Sequence, residues 1–317
     1  MRRRTLLAAP FLLPAAARAE APPLIGVMRV SGRSVEQFVD VFQRDMARLG
    51  FEEGKTYRVQ TLFADDDNSR LPAMAAELVR AGARIIVPFG NRGVAAAQAA
   101  SPDVAVVGMA DDLAGFGLVK SMARPGGNTT GVSILGHELN VKRLEVLHEI
   151  APAARHVGAV KDDTNMVKGA FEKVEAAAAQ LGLRLTAVEV KTREQVEPAL
   201  ATLAAAKVDA IQFLASPVLN GLRRVFVERV AGLRLPAMYE WPETVEEGGL
   251  VSYAPRISLC YRHVAVLVSK VLRGAKPADL PIEQPRTFEL VINLRTAKAL
   301  GIDIPPNLLA LANRVID

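Results

Sequence analysis

Polar and aromatic side chains follow the predicted strands of this chain, at the points where the strands end. These residues are Ser31, Asn91, Asp111 and Asp112 in the first half, and Asp162, Asn165, Ser216, Tyr239 and Tyr253 in the second. Open α/β sheets bind small ligands at the carboxyl ends of their strands. Each residue taken singly is better explained as an ordinary helix cap or loop residue. Their recurrence in both halves of the chain predicts a ligand-binding site between two similar units.

The chemistry that these groups offer is recognition of a charged small molecule. Asn91 is expected to cap a helix that begins at Arg92, which leaves backbone N–H groups available to hold a carboxylate. Carboxylates such as Asp111 are suited to an ammonium group, and those near this edge outnumber its predicted cations, Arg92 and Lys161. Burial of several carboxylates without partners is costly, and a ligand cation offsets that cost. The pattern therefore favours a zwitterion such as an amino acid.

Three aromatic residues lie near the same predicted edge. Tyr239, Trp241 and Tyr253 have flat faces that are suited to stacking on a planar ligand. They are equally suited to packing at a hinge, so the sequence leaves both interpretations open.

Sequence motifs for catalysis and for metal binding are missing. The chain has no G-x-S-x-G elbow, no phosphate-binding P-loop, no G-x-G-x-x-G fingerprint and no H-E-x-x-H motif. Its four histidines are scattered, and Cys260 is the single cysteine, so a disulfide or a multi-thiolate metal site cannot form within the chain. We expect no catalytic residues, no metal and no cofactor.

Length and charge point to an exported protein of two domains. The 317 residues are 50% hydrophobic and 23% charged, which excludes a disordered chain. The net charge of +5 comes mainly from the first 19 residues, which contain four of the 39 basic residues. The rest of the chain has 35 basic and 34 acidic residues. The basic residues are not interleaved with aromatics, which argues against a nucleic-acid partner.

Residues 1–21 are predicted to be a cleavable signal peptide. They combine Arg2, Arg3 and Arg4 with an apolar run too short for a bilayer and an A-x-A cleavage site that ends at Ala19. The export route stays open, since the arginines also fit a twin-arginine signal. The residue directly after the cleavage site is Glu20 and not a cysteine, so we expect no lipid-modified N-terminus. We therefore expect a soluble, monomeric, periplasmic protein.

The elements that must position the site alternate between strand and helix patterns, as in βα units around a parallel sheet. A first helix is predicted after a capping box of Ser34 and Gln37. Strands are predicted at 24–30, 57–63, 84–89, 104–109, 156–161, 184–190, 210–214, 236–240, 249–253 and 288–292. Helices are predicted near 71–81, 92–100, 141–150, 166–181, 194–206, 219–231 and 258–272, with a capped helix after Pro305.

The predicted fold class is α/β, with two Rossmann-like lobes joined by a hinge. The first lobe is expected at 22–131, completed by about 255–285, and the second at 132–254, completed by about 286–317.

Two segments carry a resemblance to a known family. Residues 118–131 read Leu-Val-Lys-Ser-Met-Ala-Arg-Pro-Gly-Gly-Asn-Thr-Thr-Gly, and residues 274–285 read Gly-Ala-Lys-Pro-Ala-Asp-Leu-Pro-Ile-Glu-Gln-Pro. The chain resembles the solute-binding proteins of ABC transporters of the tryptophan/tyrosine-type group, which have the type I periplasmic binding fold. The resemblance implies a non-catalytic receptor that captures a small solute between its lobes and presents it to the transmembrane subunits of a permease. Asn91, Asp112 and Asp162 stand where the family often has other residues, so the resemblance does not determine the identity of the ligand.

Three other functions compete with transport. A periplasmic sensor that signals to a membrane receptor would have the same sequence features. An exported α/β enzyme would need a catalytic constellation that the sequence does not display. A transcriptional regulator with the same lobes would carry a DNA-binding helix-turn-helix where this chain has an export leader.

Overall fold

The computed structural model describes residues 21–31 and 37–317. The predicted signal peptide lies outside these residues except for Ala21, and so does Ser34 of the predicted capping box. The described chain forms two sheets with helices on both faces of each, and neighbouring strands in both sheets are mostly parallel.

The first sheet has five parallel strands, and their spatial order is β2-β1-β3-β4-β5. The strands are β1 Leu24–Arg29, β2 Arg58–Phe63, β3 Ala83–Pro88, β4 Ala105–Ala110 and β5 Thr129–Ser133. The helices between them are α1 Gln37–Arg48, α2 Leu71–Arg80 and α3 Asn91–Ala100. All six residues of β1 are buried, as expected of a central parallel strand covered on both faces.

The second sheet has seven strands in the order β12-β11-β10-β9-β8-β6-β7. Its elements begin with α4 Gly136–Ile150, β6 His156–Lys161, α5 Ala170–Gln180, β7 Arg184–Glu189, α6 Val196–Ala205 and β8 Ala210–Phe213. They continue with α7 Pro217–Gly221, α8 Arg223–Leu233, β9 Ala237–Tyr239, α9 Pro242–Glu246 and β10 Val251–Ala254. After α10, Ile257–Leu272, the sheet is completed by β11 Glu289–Asn293, α11 Leu294–Leu300, α12 Pro306–Leu311 and β12 Arg314–Ile316. Strand β11 is antiparallel to β10, while β12 is parallel to β11.

Helix α10 returns to the first sheet. It packs on α1, β4 and β5, and its residues Tyr261 and Val264 share one apolar cluster with Phe42, Met46 and Val107. The chain therefore passes between the sheets at three places, residues 134–135, 255–256 and 284–288. The exact lobe boundaries given above stay a prediction.

Several elements differ from the sequence prediction. Strand β5 is not among the predicted strands, but its five residues are buried beside β4, and Gly131 leaves no room for a Cβ against the Gly108 carbonyl. The helix predicted at 219–231 is interrupted at Leu222 and forms α7 and α8. The helix predicted from 166 begins at Ala170, because residues 162–169 form a turn.

Candidate functional site

A pocket that is partly open to solvent lies between the carboxyl edges of the two sheets. Its apolar wall is formed by Val30, Phe89, Met109, Ile134, Trp241 and Ile257. Its polar wall is formed by Arg29, Ser31, Asn91, Asp111, His137, Asn165, Ser216, Asn220, Glu240 and Tyr261. This is the position at which parallel α/β sheets bind ligands.

The structure brings five of the nine predicted site residues together. Ser31, Asn91 and Asp111 line the pocket from the side of the first sheet, and Asn165 and Ser216 line it from the second. Their contact with a ligand stays a prediction.

Asp162 lies behind the pocket and supports two residues that line it. Its Oδ2 accepts hydrogen bonds from Asn165 Nδ2 at 2.9 Å and from Ser216 Oγ at 2.8 Å. Ser216 in turn caps α7, accepting from the Val218 backbone N–H at 3.1 Å. Asp112 lies outside the pocket lining, where its carboxylate accepts a hydrogen bond from Gly115 N at 2.8 Å.

The two predicted tyrosines lie outside the pocket. Tyr239 is 4% exposed and stacks on Phe213, with ring centroids 4.9 Å apart, in the core beside the second sheet. Tyr253 packs against Phe288 with centroids 6.1 Å apart. Of the three aromatic residues proposed for stacking, only Trp241 lines the pocket.

Asn91 does not cap helix α3, so that expectation is wrong. Gly90 occupies the cap position with a φ of 78°, and Asn91 is the first helical residue. The Asn91 side chain instead donates from Nδ2 to the Asn165 carbonyl at 3.0 Å, across the cleft. The first turn of α3 still lies at the pocket wall. Its free backbone N–H groups and the positive end of the helix dipole favour an anion there.

Arg29 is a cation of the pocket that the sequence reasoning missed. Its guanidinium is buried, lies over the Phe89 ring at 4.3 Å from the centroid, and donates to the Tyr261 hydroxyl. The predicted cations do not line the pocket, since Arg92 donates to the Thr164 carbonyl and Lys161 binds Asp163. The expectation that Arg92 and Lys161 are the only cations near the cleft is therefore wrong, because Arg29 lines the pocket. The position of Arg29 at the end of an otherwise apolar strand could have identified it from the sequence.

A buried group of titratable side chains connects the pocket to the first chain crossing. Asp111 accepts from the His137 backbone N–H at 2.8 Å, and its second carboxylate oxygen contacts His137 Nδ1. Burial opposes protonation of His137, but the hydrogen bond and charge of Asp111 raise its pKa above the usual value. Burial raises the pKa of Glu240, which accepts from Ser216 N at 3.2 Å, to about 7.

Arg143 supplies the positive charge beneath this group. The side chain is fully buried, and its Nη1 donates to the Gly136 carbonyl and to Asn140 Oδ1, both at 2.9 Å. Its Nε donates to the Tyr253 carbonyl at 2.8 Å. A buried charge is stable when hydrogen bonds satisfy it in this way. Arg143 thus ties the start of α4 to the end of β10.

Within residues 21–31 and 37–317, no group of three or more His, Cys, Asp or Glu side chains is arranged to hold a metal ion. The helices in that part of the chain are too short or too polar to span a bilayer.

Comparisons with known proteins match nearly the whole described chain. The model of the ABC transporter substrate binding protein family matches residues 25–316. The tyrosine-binding protein of Clostridioides difficile is 23% identical over 283 residues, which cover 88% of this chain and 81% of that protein.

Solved structures have the same fold. A structure described as the ABC domain in complex with L-Trp, from Streptococcus pneumonia, is 27% identical with a TM-score of 0.84, covering 93% of this chain and all of that one. The ligand-free, open structure of a substrate-binding protein with adhesive properties from Clostridium difficile is 20% identical with a TM-score of 0.62, covering 93% and 99%.

Proposed function

Because this chain belongs to the ABC transporter substrate-binding proteins and has their type I periplasmic binding fold, we propose that it captures an amino-acid-like solute between its lobes and delivers it to a membrane permease. In this proposal residues 1–21 direct export and the mature protein works as a periplasmic monomer. It binds its solute without converting it.

The observation that carries the proposed ligand is the distribution of charge around the pocket. Arg29 and the N-terminus of α3 offer positive charge and backbone donors to a carboxylate. Asp111 offers negative charge to an ammonium group, and Glu240 lies beside it. A zwitterion satisfies both kinds of group at once, whereas a simple sugar satisfies neither charge.

The apolar wall supports an amino acid with a large apolar or aromatic side chain. Phe89 and Trp241 provide ring surfaces, and Met109, Ile134 and Ile257 provide aliphatic ones. Aromatic surfaces bind ring-containing ligands with a preferred geometry. One relative is named a tyrosine-binding protein and a solved structure is described in complex with L-Trp, which makes L-tyrosine and L-tryptophan the first ligands to test.

Calorimetry with the mature protein tests the ligand class. We expect L-tyrosine or L-tryptophan to bind, and the matching acid without the amino group, 3-(4-hydroxyphenyl)propionate or indole-3-propionate, to bind at least tenfold more weakly. Equal affinity for an amino acid and its deaminated analogue would show that the ammonium site is wrong. Tight binding of a sugar with no amino acid binding would overturn the proposed ligand class.

Uptake measurements separate transport from sensing. Cells that lack this protein should accumulate the labelled ligand more slowly than cells in which it is restored, because the permease would receive the solute from the binding protein. Unchanged uptake together with tight binding in vitro would favour a sensor.

A further inference from the structure

One turn of the second lobe is hydrogen-bonded by three side chains of the first lobe. Asn68 Nδ2 donates to Thr164 Oγ1 at 3.0 Å, and Arg92 Nε donates to the Thr164 carbonyl at 2.7 Å. Beside them, Asn91 Nδ2 donates to the Asn165 carbonyl at 3.0 Å. The cleft is therefore closed at this turn by direct contact between the lobes.

Most of these atoms lie outside the ligand pocket. Asn68 belongs to a short 3-10 turn before α2, Arg92 to the first turn of α3, and Thr164 to the turn between β6 and α5. None of the three lines the pocket, whereas Asn91 and Asn165 do. Substitutions at Asn68, Arg92 or Thr164 can thus change the contact between the lobes without removing a group from the pocket wall.

The turn that receives these hydrogen bonds is fixed by its own lobe. The Asp162 carboxylate, which is 1% exposed, accepts from Thr164 N at 3.0 Å and from Thr164 Oγ1 at 2.5 Å. It also accepts from Asn165 Nδ2 at 2.9 Å. Because the acceptors are held in place before the lobes meet, little conformational entropy is lost when Asn68 and Arg92 bind them.

We propose that Asn68, Arg92 and Thr164 form a latch that stabilises the closed conformation and sets the ligand affinity without contacting the ligand. The partners lie on different lobes, so these hydrogen bonds exist when the cleft is closed and are lost to water when it opens. The measured affinity scales with the population of the conformation that binds, so a weaker latch lowers it. The inference rests on the proposed function in that closure around a solute is what the latch assists.

Distances between spin labels test the latch before any ligand is added. Cysteines at the exposed positions Ala73 in α2 and Ala176 in α5 place one label on each lobe. Burial keeps Cys260 inaccessible and raises its thiol pKa to about 12, so it stays unlabelled. We expect the protein without ligand to show a short-distance population, which Asn68→Ala and Arg92→Ala each reduce by about threefold to tenfold, the range of one lost hydrogen bond.

Arg80→Ala is the matched control, because Arg80 is an exposed arginine of the same lobe, in the last turn of α2. It should leave the distance distribution unchanged. A double-mutant cycle of Asn68→Ala with Thr164→Val should show coupling, since the two side chains contact each other. A protein with no short-distance population, or distributions that Asn68→Ala and Arg92→Ala leave unchanged, would overturn the latch.

Calorimetry with L-tyrosine and L-tryptophan gives the second readout. Arg92→Ala should weaken whichever amino acid binds by about threefold to tenfold, mainly through faster dissociation, while Arg80→Ala does not. Failure of both amino acids to bind would contradict the proposed ligand, and the spin-label result would still decide the latch. Unchanged affinity in Arg92→Ala with intact binding by the wild type would contradict the latch alone.

Discussion

At the scale of single residues, Asp111 is the carboxylate on which the proposed ammonium site depends. Asp111→Asn keeps the shape of the side chain and removes its charge from the pocket wall. We expect ligand binding to weaken by about 2 to 5 kcal/mol, the cost of unpairing a buried charge on the ligand. Calorimetry measures this loss. Asp112→Asn is the control, since that carboxylate binds Gly115 N outside the pocket, and an equal loss in both variants would contradict the assignment.

Glu240 should make the stability of the protein fall as pH rises. Burial raises its folded-state pKa to about 7, above the usual 4.5, so the folded state binds the proton more tightly than the unfolded state does. The stabilisation is complete below about pH 4.5 and is lost as pH rises through about 7. Glu240→Gln should remove up to about 3 kcal/mol of this dependence, measured by thermal unfolding between pH 5 and 8.

Glu138→Gln provides the comparison, because Glu138 is an exposed carboxylate in the first turn of α4. This variant should show the same dependence of stability on pH as the wild type. A Glu240→Gln variant with that same slope would show that Glu240 is charged across the whole range.

Side-chain direction explains which site residues the sequence could predict. Strand ends are visible in the pattern, and five of the polar residues that follow them do line the pocket. Successive residues of a strand point to opposite faces, so a shift of one position separates the core from the cleft. Tyr239 therefore enters the core while Glu240 and Trp241 reach the pocket, and Arg29 lines it from within a strand.

At the scale of elements, the start of α4 depends on the absence of a side chain at Gly136. A Cβ there would contact Asp111 Oδ1 and would lie 2.8 Å from the Ala215 Cβ. We expect Gly136→Ala to destabilise the protein by about 1 to 3 kcal/mol and to weaken ligand binding, because the pocket wall must move. Chemical denaturation and calorimetry measure the two effects.

Gly232→Ala is the matched control within a helix. Gly232 lies in α8, and, its own helix backbone and chain neighbours aside, no atom of the described residues lies within 4 Å of the position that its Cβ would occupy. Alanine should stabilise this helix by about 0.5 to 1 kcal/mol. A Gly136→Ala variant as stable as Gly232→Ala would contradict the predicted crowding.

Long apolar strands were predictable from the sequence, and short or small-residue elements were not. Strands β1, β3 and β6 are runs of mainly buried apolar residues, with five or six of the six residues buried in each. Strand β5 was not predicted, because its threonines and glycine fit the sheet through tertiary contacts that no local pattern reports. The break between α7 and α8 also lies at a tertiary contact that the local sequence does not report. Gly221, which has no Cβ, packs there against Ser31 and Asp66 of the first lobe.

At the scale of the whole molecule, Asp66 should make closure depend on pH. Its Oδ1 lies 2.6 Å from where a Cβ of Gly221 would be, and Arg193 and Glu194 of the second lobe also act on its charge. Burial, with the neighbouring Asp65, raises its pKa to about 6. The second lobe supplies part of this burial through Gly221, so closure takes up a proton. This contribution to closure is complete below the ordinary pKa of 3.8 and is lost as pH rises through about 6.

Asp66→Asn removes this titration while it keeps the size of the side chain. The closed population, followed by small-angle scattering or by the label pair described above, should be larger at pH 5 than at pH 8 in the wild type. The variant should lose most of that difference. Since Glu240 and His137 also titrate near the pocket, an undiminished pH effect in Asp66→Asn would assign it to them instead.

The return of α10 to the first sheet also determines the order in which this protein can fold. Residues 257–272 cover a face formed by residues 37–48, β4 and β5, so the core of the first lobe closes through contacts between distant parts of the chain. Contacts of such high sequence separation slow folding, because the loop entropy is lost before they form. The first lobe thus reaches its native core after most of the second lobe has been synthesised. This delay keeps the polypeptide unfolded for longer, a state in which it remains accessible to chaperones and proteases.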